Sequence, residues 1–386
     1  MRAIRKIAIF MPRPNPFYTS LFFYLKSAFE ELGLEVCGGV GFLTDETLLE
    51  FCRRFQPDIL FEMNRARREI PELPKEIRHV SWVVDTNGRE VNYFTGSELQ
   101  YFFFWNWRKD YNAPEAKIVD WLPPGACPHT YHNQPAESLS DFSFIGHMSA
   151  PWTEQERQRT LWKDTQHTIT LGDLLPEIST KILHAANTVA GLNNEDILEI
   201  ALNVLWERIG TRQEFPLETA LRYDLESRVI RMVRRQSALE LIQNTGATVR
   251  YYGTGHWEKW PEYKNAYHGP IFDPEQVRKV YVQSRINYHE GVTGIHFRTL
   301  DCLSSGGFMF ILETPDDSGY GGTHALFTNK EHYVAVNPDN FQQMTQHYLN
   351  NESARKAIGA NAAQLIREKH TWRHRAEKIL SDLSRL

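Results

Sequence analysis

Cysteine is scarce: 386 residues hold four, Cys37, Cys52, Cys127 and Cys302, with no C-x-x-C pair. That excludes a disulfide framework and a cysteine-based structural zinc site, and it suits a reducing, cytoplasmic setting. Long hydrophobic runs are missing too. None approaches the ~20 residues of a membrane span. The apolar part of Met1–Phe10 is too short for a signal-peptide core, and Pro12 and Pro14 break it, so it reads as a first strand. Positive charge is not in excess. Lys and Arg number 43 against 48 Asp and Glu, a net charge of −5. That argues against general nucleic-acid binding and leaves room for a local basic pocket for phosphate.

Hydrophobic residues make up 41% and charged residues 24%, enough apolar content for a sizeable core. The length predicts two or three domains. Lys6–Met11, Leu34–Val40, Asp58–Glu62, His79–Asp85 and Tyr101–Trp105 read as buried strands. Between them, Leu21–Leu32 and Glu46–Phe55 carry apolar residues at helical spacing. Strands alternating with helices predict a parallel α/β sheet. A turn-rich stretch, Leu122–Pro128, and polar residues 133–141 mark a boundary, placed at residue 136. Phe142–Gly146 then starts a second α/β unit, 137–360. Within it, Pro151–Arg235 reads as a largely helical insertion. Further strands are predicted over Ala247–Tyr252, Ile286–His289 and Phe308–Leu312. Helices are predicted over Pro274–Gln283, Phe297–Ser304, Phe341–Leu349, Glu352–Lys369 and Trp372–Leu386. Two such units make a cleft, and ligands of open α/β sheets sit at strand C-termini.

The most informative stretch is His289–Gly307, HEGVTGIHFRTLDCLSSGG. A strand leads into a loop with Gly291 and Gly294, then a helix carrying Arg298 and Asp301, which stops at Gly306–Gly307. Glycines let backbone N–H groups approach a ligand, and a helix N-terminus favours phosphate. Arg298 offers a permanent, bidentate phosphate contact, and Asp301, one turn on, can accept from both ribose hydroxyls. By spacing alone, a solvated helix with an Arg–Asp pair and a glycine cap explains the same residues equally well. Gly253-Thr-Gly255 follows a strand, but Glu258 stands where a dinucleotide fingerprint needs its third glycine. No Walker A or H-E-x-x-H string occurs. Cys127, His129 and His132 lie in a Pro-rich hinge without a clear fourth ligand, so no metal is expected.

Arg298-x-x-Asp301-x-x-x-x-Gly306-Gly307 resembles the R-x-F-E-x-x-x-x-G-G signature of CgeB-like, group 1-type glycosyltransferases. Asp141–Gly146, Tyr252–Trp257, His370–Arg375, Val119–His129, Pro57–Asp58 and Val84–Asp85 resemble further elements of that family in order. Only Pro151–Arg235 falls outside the resemblance. It implies the GT-B fold: two Rossmann-like domains facing across a cleft, with the helical insertion in the second. Residues 361–386 would return as helices toward the first, anchored by Trp372 and the Arg373/Arg375 face. It also implies a nucleotide-sugar donor, with UDP-sugar the usual choice, and no metal or further cofactor.

Under that resemblance Arg298 faces the donor diphosphate, and Asp301, one methylene shorter than the family's Glu, faces the ribose. Gly291 and Gly294 offer backbone donors, and Gly253 and Gly255 lie near the nucleotide. His296 joins the donor-binding set. The catalytic candidates are Asp85, at the end of an apolar strand, as base on the acceptor hydroxyl, and His289, beside the glycine loop. An Asx turn explains Asp85 equally, and a lone histidine is more often structural. Arg13 and Asn15 in the first strand–helix loop are weaker candidates. The expected activity is sugar transfer to an acceptor the sequence does not specify. A sugar-nucleotide epimerase of the same fold and a non-catalytic nucleotide-sugar scaffold are the rivals. The insertion would serve oligomerisation, a protein partner or acceptor recruitment.

Overall fold

The computed structural model describes residues 4–386 apart from 87–92, 110, 112–114, 135, 166 and 215. Met1–Ala3, and Asn87–Gly88 of the loop after Asp85, thus lie outside the described residues.

The first unit is a six-stranded sheet. β1 (Lys6–Met11) leads to α1 (Pro16–Glu31), β2 (Glu35–Val40), α2 (Asp45–Phe55), β3 (Ile59–Met63), β4 (Arg78–Val83), β5 (Leu99–Phe102) and β6 (Ile118–Trp121). The order is β2-β1-β3-β4-β5-β6, with every pairing parallel. Local chemistry sets the elements. Asn15 caps α1 by accepting from the Tyr18 N–H at 2.8 Å, and Pro16 opens the helix with its φ already helical. Asn15 is thereby spent on the helix rather than offered to the cleft. β5 stops at Phe102, shorter than the aromatic run predicted, because Trp105–Lys109 turns into a 3₁₀ segment.

The second unit starts with β7 (Ser140–Ile145). The insertion follows, and it is not purely helical. α3 (Glu154–Arg157) precedes an antiparallel hairpin, β8 (Thr160–Lys163) and β9 (Thr168–Thr170). α4 (Leu171–Thr188), α5 (Asn194–Ile209), α6 (Thr219–Tyr223) and a π-helical turn, Asp224–Arg228, come next. They share a core of their own, with Leu174, Ile178, Val204 and Leu225 buried. Arg228 locks the turn: it pairs with Glu156 at 2.6 Å and lies over the Trp152 ring. α7 (Val229–Gln243) runs across the predicted end of the insertion at Arg235 and enters the sheet domain as one continuous helix.

β10 (Val249–Tyr252), α8 (Pro274–Val282), β11 (Ser284–His289), α9 (Phe297–Ser304), β12 (Met309–Leu312) and β13 (Val334–Val336) complete a parallel sheet of order β10-β7-β11-β12-β13. α10 (Phe341–Leu349), α11 (Glu352–Lys369) and α12 (Trp372–Ser384) end the chain.

α12 packs on the first sheet, beside α1. Its apolar face, Trp372, Ala376, Ile379 and Leu383, is buried in the same core as Trp82 and Tyr101. Tyr101 donates to Asp382 at 2.6 Å, and Arg78 donates to the Leu383 carbonyl at 2.9 Å. Of the two arginines expected to anchor the crossing, Arg375 does so from a buried position, donating to the Pro123 and Pro124 carbonyls. Among the described residues Arg373 pairs only with Glu377 on its own helix. Trp372 is 4% exposed. Trp372→Ala is expected to cost about 3–5 kcal/mol, read as a lowered urea midpoint at unchanged slope.

Candidate functional site

The two units meet at the N-terminus of α9. Phe297 leaves its own sheet and stacks on Phe103 of the first unit at 5.3 Å, with Phe17, Trp82 and Trp372 around it. The strand end His289–Glu290, the following loop and the first turn of α9 therefore lie on the cleft between the sheets. A second seam closes beside it. Tyr320 donates to Asp120 at 2.8 Å and packs edge-on against Trp105. Asp316 accepts from the Asn106 amide at 2.6 Å and from the Gly191 N–H of the insertion at 2.8 Å. One carboxylate thus ties first unit, second unit and insertion together.

Arg298 is half-buried in the first turn of α9 and has no ion-pair partner among the described residues. Its Nε is shielded and unpartnered. Burial, with repulsion from Arg235, lowers its guanidinium to about 10. Sequence reasoning missed the groups around it. Arg234 and Arg235, on α7, both pair with the buried Glu290, at 3.3 Å and 2.8 Å. Arg234 also donates to the Gly291 carbonyl, and Arg235 to the His147 carbonyl at 2.9 Å. Burial pushes the Glu290 carboxyl up, and Arg235 with Arg234 more than offsets it, leaving it below its ordinary value. Three guanidinium groups gather around this carboxylate, with Asp316 also near Arg234.

Both predicted histidines are present and neutral. His296 caps α9: its Nδ1 accepts from the Arg298 N–H, so the ring proton sits on Nε2. Burial, then the Arg298 charge, holds it well below the ordinary histidine value. His289 Nε2 faces the Thr293 carbonyl at 3.4 Å and therefore carries the proton. Burial and Arg298 hold it at about 3, too weak a base for neutral pH.

The sign of the pH dependence follows. Unfolded, the His289 ring protonates as pH falls through ~6.5; folded, it does so only near 3. Its stabilisation is complete above pH ~6.5 and drains as pH falls, by about 2 kcal/mol at pH 5. Asp301 has the opposite sign, since burial pushes its carboxyl well above the ordinary range. His289→Asn isolates the ring. Urea unfolding of this variant should lose about 2 kcal/mol less than wild type between pH 7 and pH 5.

The remaining candidates divide. Asp301 lies inside α9 among Tyr131, Tyr24 and Tyr281, so its carboxyl is turned toward tyrosines of the domain linker, α1 and α8. Gly294 gives its N–H to Asp317 at 2.7 Å, so that donor is already used. A Cβ there would sit 2.3 Å from Thr323 Oγ1, so the residue is glycine for packing. Gly253, at φ +142°, passes so close to the Gly146 carbonyl that a Cβ would lie 2.0 Å from it. Gly255 is open, with nothing within 4 Å of its Cβ position. Gly291 sits against His289 and Thr293. Asp85 is exposed just past β4 in the first unit, with its N–H held at 2.9 Å by Asn64, a buried residue at φ +61°. Among the described residues no cluster of His, Cys, Asp and Glu could hold a metal, and no helix is long and apolar enough to cross a membrane.

Residues 234–381 match the model of a family described as glycosyl transferase-like. The matched segment is similar to that family. It starts at the Arg234–Arg235 pair and spans Glu290, Arg298 and α12. AviGT4, a glycosyltransferase involved in avilamycin A biosynthesis, aligns over 99% of this chain and 97% of its own, with a TM-score of 0.52 at 12% identity. A glycosyltransferase from Rickettsia africae aligns over 98% and 97%, with a TM-score of 0.51 at 10% identity. No curated protein matches the chain by sequence. The chain thus has the GT-B fold.

Proposed function

We propose that the protein transfers a sugar from a nucleoside diphosphate sugar, UDP-sugar by the family resemblance, to an acceptor held against the first unit. The observation that carries this is the charge balance at α9. Arg234, Arg235 and Arg298 gather around Glu290, with Asp316 the next carboxylate beside Arg234, and the two histidines are neutral. A surplus of positive charge beside a helix N-terminus suits a diphosphate.

Catalysis then rests on stabilising the departing diphosphate. As the bond from the sugar's anomeric carbon to the diphosphate breaks, the leaving oxygen keeps the electron pair, and the fixed guanidinium groups oppose the growing charge. His296 Nε2–H adds a neutral donor. The guanidinium surplus supplies the charge that a divalent cation would otherwise bring, so EDTA should leave turnover unchanged. His289, being neutral and so weakly basic, holds the glycine loop through Thr293 rather than taking a proton. Asp85, across the cleft, is the base on the acceptor hydroxyl. Asp85→Asn is expected to lower kcat roughly 100-fold at unchanged donor affinity, measured by donor turnover against calorimetry. Equal losses in both would remove Asp85 from the chemistry.

The function itself is tested by calorimetry with UDP, GDP, TDP, ADP and CMP, followed by the matching nucleotide sugars. Selective binding of one diphosphate upholds it. Binding of none, nucleotide sugars included, overturns it.

A further inference from the structure

Beside Arg298 lies a small, partly enclosed pocket of about 10 Å³. Ser143, Tyr281, Asn287, His289 and Arg298 line it. Two of these polar groups are settled. Ser143 donates to the Asn287 amide oxygen at 2.7 Å, and the Asn287 amide nitrogen donates to the Tyr281 and Phe308 carbonyls. Among the described residues the Tyr281 hydroxyl and Arg298 Nε have no protein partner and are both shielded; Tyr288 also lines the pocket, and its hydroxyl is shielded and unpaired too. Tyr281 and Arg298 come from different elements, α8 and α9, and the two side chains are close enough to influence each other's charge. Leaving two buried donors unpaired costs more than immobilising one water. The volume decides the occupant. About 10 Å³ is the smallest space that takes a single water and is too small for phosphate or any substrate group.

We propose that Tyr281 is a positioning residue for Arg298, holding its Nε through one buried water, so that both terminal nitrogens are presented to the cleft. The water accepts the Nε–H and shares a hydrogen bond with the Tyr281 hydroxyl. The arrangement fixes the guanidinium before any anion arrives, which lowers the ordering cost of binding. The value of this to the enzyme rests on the diphosphate assignment above. The geometry of the water does not.

Tyr281→Phe removes one oxygen and keeps the ring. Two measurements test it: UDP calorimetry, and crystal structures of wild type and variant at a resolution that shows ordered water. The expected result is a water on both Arg298 Nε and the Tyr281 hydroxyl in wild type. In the variant the water is lost or the guanidinium turned, UDP dissociation rises roughly 5–10-fold, and the unfolding midpoint is not lowered. A dry wild-type cavity, or wild-type UDP affinity in the variant, overturns the proposal. If wild type binds no nucleoside diphosphate, the donor assignment fails by itself. The crystal structures then decide: a reoriented Arg298 upholds the positioning role, and an unmoved one overturns it.

Discussion

Arg298→Ala is expected to weaken UDP binding roughly 100-fold or more, without lowering the unfolding midpoint. The second half of that statement is what distinguishes the site from ordinary structure. An arginine that holds a fold together has a carboxylate or several carbonyls as partners, as Arg375 does with Pro123 and Pro124. Arg298 has no ion-pair partner among the described residues, and Arg235 repels it. Removing it takes an uncompensated charge out of a half-buried position, so the free protein loses nothing electrostatically. The bound state loses its least neutralised cation. Arg298→Lys should recover only part of the affinity, since a point charge cannot make the forked contact. Calorimetry at two salt concentrations checks both variants, because the residual affinity should also be less salt-sensitive. A variant that binds UDP as wild type does would remove the donor from this end of the cleft.

Glu290→Ala should have the opposite profile. Glu290 is 5% exposed and is the carboxylate shared by Arg234 and Arg235. Deleting one member of a buried ionic cluster costs about 3–5 kcal/mol, seen as a lowered urea midpoint. Among the described residues, three guanidinium groups then stand together with only Asp316, beside Arg234, to balance them. Glu290→Gln keeps the shape and some hydrogen bonding, so it should fold better. In that variant UDP should raise the midpoint more than it does in wild type, because the ligand replaces a missing negative charge. If Glu290→Gln responded to UDP no more than wild type, the three arginines and the diphosphate would not share one site.

The strong periodic segments were legible without coordinates. α9, α10 and α11 run over the residues predicted from apolar spacing and glycine stops, and the Arg298 string was found from residue types alone. What escaped has physical causes. β13 is three residues long and β6 four, too short for alternation to register. The β8–β9 hairpin lies in polar sequence whose strands bury little. Glu290 carries no signal on its own; its meaning comes from Arg234 and Arg235, more than fifty residues earlier in the chain. The insertion hid that pair, since its predicted end fell on Arg235 while the helix continues to Gln243. Asp301 was placed by its spacing from Arg298 and by the Glu of the family it resembles. Three positions after Arg298 is one turn on, and there the side chain is buried among tyrosines of the linker, α1 and α8.

The return of α12 sets the order in which the protein becomes complete during synthesis. The sheet begun at Lys6 leaves the ribosome early, yet the surface over Trp82 and Tyr101 stays bare until Trp372–Ser384 has been made. At about 5–20 residues per second, that is an interval of roughly tens of seconds. Throughout it an aromatic face waits for α12, so this unit is sealed only after the second has been translated. Stalled or shortened chains would carry that face exposed, a ready target for chaperones and proteases.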